Sequence, residues 1–114
     1  MQIVYLTQRM STYSSAFYQQ DVIEELSRQH EVFQYGPGFQ CYDQVDCLAD
    51  VMAKSPFQRP DVVCVGHSWL VDTPGQEVDR HPRIHLADTG IPKVMLLNKE
   101  DTNLSRKLAY VVKN

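Results

Sequence analysis

The chain alternates between short apolar runs and longer segments whose apolar residues recur at helical spacing. QIVYLT, from Gln2 to Thr7, is a β-branched apolar run and predicts a first strand. AFYQQDVIEELSRQ follows, with Tyr18, Val22 and Leu26 four apart and Ile23 beside them, the stripe of an amphipathic helix. Ser14 and Ser15 stand where that helix needs a cap. HEVFQYG predicts a second strand, stopped by Gly36-Pro37-Gly38, the strongest turn signal in the chain. YDQVDCLADVMAK then sets Leu48, Val51 and Met52 at helical spacing, with Asp43 or Asp46 as the expected cap.

DVVCVG, entered through Pro60, reads as a third strand buried on both faces. Residues 71–90 are polar and proline-punctuated, long for a plain connection and suited to a functional or inserted loop. IPKVMLL predicts strand four. TNLSRKLAYVVKN closes the chain as a helix, capped by Thr102 or Asn103, with Leu104, Leu108 and Val111 expected to face inward. Strands that alternate with helices imply βαβ units, right-handed crossovers and a parallel sheet between helical layers. The expected fold is therefore α/β, a Rossmann-like three-layer α/β/α domain of about four strands over residues 1–114. The last helix reaches Asn114 with no Gly or Pro stop. Such a helix in a doubly wound sheet normally leads to a further strand. The pattern therefore reads as a truncated domain whose fourth strand is a bare edge, able to pair with another chain.

Composition narrows the classes without choosing one. The 114 residues suit one domain with a core that needs no staples. The net charge of −3, with no cluster of lysine and arginine, argues against a nucleic-acid surface. No run is long enough for a membrane span and no signal peptide is legible, so a cytoplasmic protein is expected. Cys41, Cys47 and Cys64 are an odd number without metal-type spacing and suit a reducing compartment, a Cys41–Cys47 bridge being the alternative.

Ligands of open parallel sheets bind outside the carboxyl ends of the strands, near the point where strand order reverses. Four segments fall there: QRMSTYSS, GPGFQCYD, GHSWL and NKEDTN. The first lacks G-x-G-x-x-G, and the chain has no G-x-x-x-x-G-K-[ST]. Ser14 and Ser15 are thus either ordinary caps or hydroxyls offered to an anion with the first amides of the helix. Gly36-Pro37-Gly38 is a plain turn or a close-approach ligand loop, and Tyr42 and Asp43 are a packing aromatic and a cap or contacts to a sugar hydroxyl. His67 titrates near neutrality and is a candidate ligand contact and catalytic base, with Asp72 near enough in sequence to orient it. Ser68 is not a hydrolase nucleophile, because VGHSWL lacks the G-x-S-x-G elbow. Trp69 either stacks on a sugar ring or fills the core. Asn98, Lys99 and Glu100 either bind hydroxyls or phosphate or solvate a helix start. Asp79, His81, His85 and Asp88 match no structural zinc pattern, and no metal is expected.

FYQQDVIEEL, YGPGF, PDVVCVGHSWL followed by DTPG, and IPKVMLLNKEDTNLSRKLAYV together resemble the N-terminal part of glycosyltransferase-like proteins of the GT-B fold. The resemblance spans nearly the whole chain. It implies a domain that faces the acceptor, while a second domain holds most of the nucleotide-sugar donor. On that resemblance Ser14, Ser15, His67, Ser68, Trp69, Asn98, Lys99 and Glu100 line the acceptor side of the cleft. No cofactor is expected in this chain itself, and the resemblance implies that it is inactive alone. The alternative is a non-catalytic module that self-associates or binds a partner through its sheet edge or last helix. A flavodoxin-like or receiver-like domain is a further reading, weakened by the lack of an acidic residue in LTQRMSTY.

Overall fold

The computed structural model describes residues 1–9, 14–43, 45–66, 69, 86, 89–96 and 104–113, without the side chains of 14–18 and 106. Its elements are β1 (Gln2–Leu6), α1 (Ser14–Gln29), β2 (Glu31–Tyr35), α2 (Leu48–Lys54), β3 (Val62–Val65), β4 (Lys93–Met95) and α3 (Leu104–Lys113). The four strands form one parallel sheet in the order β2-β1-β3-β4. This is the expected Rossmann-like α/β arrangement, in the 2-1-3-4 order of flavodoxin-like sheets rather than 3-2-1-4. β1 is central, and Ile3 to Leu6 are buried on both sides, as a continuous apolar run in a parallel sheet requires.

Chain direction reverses at β1. The β1–β2 crossover moves one way across the sheet, and the β2–β3 and β3–β4 connections move the other. With right-handed crossovers, α1 and α2 must then lie on opposite faces. The packing agrees. Val4, Leu6, Tyr35, Val63 and Val65 share a core with Leu48 and Val51 of α2, Phe57, Trp69, Leu86 and Ile91. Ile3 and Tyr5 point to the other face, and Ile23 of α1 is buried outside that core. Among the described residues, no helix is long and apolar enough to cross a membrane. Cys41, Cys47 and Cys64 are all free thiols, so Cys41 and Cys47 are not bridged.

Two boundaries and one orientation differ from the sequence reading. α1 opens at Ser14, which puts Ser14 and Ser15 in its first turn rather than before it. α2 starts at Leu48, and its cap is Cys47, whose backbone N–H donates to Asp50 Oδ2 at 2.8 Å. The Asp46 carboxylate is occupied by the Tyr35 hydroxyl, and that of Asp43 by the Val45 N–H. α3 is turned over relative to expectation. Leu104, Leu108 and Val111 are exposed, Val112 is 87% exposed, and Lys107 is 2% exposed. Helical spacing identified the apolar stripe, but the stripe faces outward.

Candidate functional site

The switch point falls between β1 and β3, so the candidate site is the rim built from the residues after those strands and after β2. β1 continues as Thr7–Arg9, and this extension is tied to the end of β2. The Thr7 N–H donates to the Tyr35 carbonyl at 2.9 Å, and the Arg9 N–H to the Pro37 carbonyl at 2.8 Å. Gln19 of α1, buried, donates from Nε2 to the Gln8 carbonyl at 3.0 Å. Gly36 makes this seam feasible. Its φ is +148°, and a Cβ there would lie 1.9 Å from the Thr7 carbonyl oxygen, so no side chain fits.

On the other flank, the Gly66 N–H donates to the Leu6 carbonyl at 2.7 Å, and the Trp69 N–H to the Gly66 carbonyl at 3.0 Å. A Cβ on Gly66 would meet the Tyr5 ring at 2.7 Å, so this glycine too answers a close approach. Trp69 is fully buried, and its Cζ3 lies 3.0 Å from where a Gly36 Cβ would sit. The indole therefore runs from the end of β3 past Thr7 to the end of β2 and fills the crevice beneath the rim. In this arrangement it is a core side chain and offers no ring face to a sugar. Its nitrogen makes no hydrogen bond of ordinary geometry among the described residues. It faces Tyr110 of α3, whose hydroxyl pKa is pushed up by burial and partly pulled back by the indole N–H.

The best-defined polar cluster lies beside this rim, in the β2–α2 connection. Tyr35 OH donates to the Asp46 carboxylate and accepts the Asp43 N–H at 3.0 Å. Lys54 Nζ forms an ion pair with the same Asp46 carboxylate and sits 5.9 Å from the centre of the Tyr35 ring. Burial raises the Tyr35 pKa far above the usual phenol value, while the hydrogen bonds from Lys54 and then Tyr35 hold the Asp46 carboxyl below its ordinary value. Asp43 Oδ1 accepts the Val45 N–H at 3.1 Å, a local turn. Tyr42 packs on the core with its ring centre 5.6 Å from that of Tyr35, and burial raises its pKa as well. Tyr42 thus packs against the core, while Asp43 closes a local turn. Sequence reasoning missed this cluster because its members are eight and eleven residues apart, with no periodic signature.

Of the sequence-derived site residues, Trp69 is in the core, and Ser14 and Ser15 are placed by backbone alone in the first turn of α1. His67, Ser68, Asn98, Lys99 and Glu100 lie outside the described residues, as do Asp72, Asp79, His81, His85 and Asp88. Among the described residues, no group of three His, Cys, Asp or Glu side chains comes together to hold a metal ion. Comparison with family models, with curated proteins and with solved structures returns no significant match.

Proposed function

We propose that this chain is a glycosyltransferase-like Rossmann domain that contributes the acceptor side of a sugar-transfer cleft. The observation that carries the reading is the strand order. With the strands parallel and the order reversing between β1 and β3, the carboxyl ends of β1, β3 and β4 lie at one end of the sheet. In the sequence these ends lead into the runs on which the resemblance to the GT-B proteins rests, with His67, Ser68, Asn98, Lys99 and Glu100, while Ser14 and Ser15 open α1 after β1. Glycosyl transfer depends on positioning and on charge stabilisation at the leaving diphosphate, so it requires a donor domain closing over this rim. The role assigned to the chain is accordingly binding, without turnover in isolation. With Trp69 filling the crevice, any sugar sits above the indole, on the polar rim.

The test is an amide NMR titration of the purified chain with uridine- and guanosine-diphosphate sugars, then with simple sugar acceptors. Shifts confined to Thr7–Arg9, residues 66–70 and residues 98–103 are expected for acceptors. A folded spectrum with no shift at millimolar ligand overturns the assignment.

A second reading is favoured by α3. A helix that exposes Leu104, Leu108, Val111 and Val112 while burying Lys107 is built to be covered. On this reading the chain is a non-catalytic module that associates through that helix.

A further inference from the structure

We draw no further inference here: the strongest candidate, the partly covered apolar strip of Val62, Cys64 and Val94 on the sheet face that carries Ile3 and Tyr5, carries nothing because no feature among the described residues shows what covers it.

Discussion

The β2–β1 half of the sheet and the β3–β4 half share one parallel ladder, yet they are finished differently. At the carboxyl end of β2 and β1 every exit is fastened: Thr7 to Tyr35, Arg9 to Pro37, Gln19 to Gln8, and Tyr35 to both Asp43 and Asp46. In the β3–β4 half, Val94, Leu96 and the apolar stripe of α3 stay exposed. Both halves contribute to the core, but among the described residues the fastened exits lie in the first half, and the exposed apolar surface from which a partner would gain binding energy lies in the second. Substitutions at the fastened exits and in the core should cost stability, while those on the exposed apolar surface should act on association.

The largest effect is expected where the halves meet. Trp69 starts at the end of β3 and packs against Gly36 at the end of β2, so it bridges the sheet beneath the rim. Trp69→Ala should cost about 3–5 kcal/mol, the range for removing a large buried aromatic, measured as a lower denaturation midpoint by far-UV circular dichroism. A loss below about 1 kcal/mol, as for an ordinary surface position, would mean that the indole is not the bridge. Gly36→Ala comes next. The new methyl group must displace the Thr7 carbonyl and strain a backbone at positive φ, which together should cost about 3 kcal/mol or more. A near-neutral result in thermal unfolding would show that the seam between the two exits is dispensable.

Much of this division was legible in the sequence, and what was not has identifiable causes. The run Gln2–Thr7 was legible as the first strand, and Gly36-Pro37-Gly38 as the stop of the second strand. The late start of α2 was hidden because the Tyr35 hydroxyl claims the Asp46 carboxylate and the Val45 N–H claims that of Asp43, contacts that compete with helix capping. The orientation of α3 was hidden for a different reason. Periodicity shows that Leu104, Leu108 and Val111 share a face, but it carries no sign, and only packing put Lys107 inside. Trp69 was placed at the correct strand end, while its ring direction depends on a glycine at the end of another strand.

The fastened half also predicts a smaller, pH-dependent effect. Lys54 and Tyr35 lower the Asp46 pKa in the folded chain, so the group contributes stability that is present above its unfolded pKa, about 3.9, and lost as pH falls through the folded value. Thermal midpoints of the native chain should therefore drop more steeply below about pH 4 than those of Asp46→Asn, which should be less stable at neutral pH and flatter in acid. Parallel acid limbs for the two proteins would remove Asp46 from the account of how the β2–α2 connection is held.

The smallest stability effect is expected on α3, and that smallness separates the two halves most sharply. Leu108 is 45% exposed, so Leu108→Lys removes little buried surface and should change unfolding free energy by no more than about 0.5 kcal/mol, as typical exposed substitutions do. A larger loss, with the native baseline unchanged, would mean that the stripe packs within its own chain and that the apparent asymmetry is closed from inside. If stability holds and self-association weakens, the apolar stripe has no role in keeping one chain folded. Its positions then answer to a surface outside the chain, while Tyr35, Gly36 and Trp69 answer to the fold.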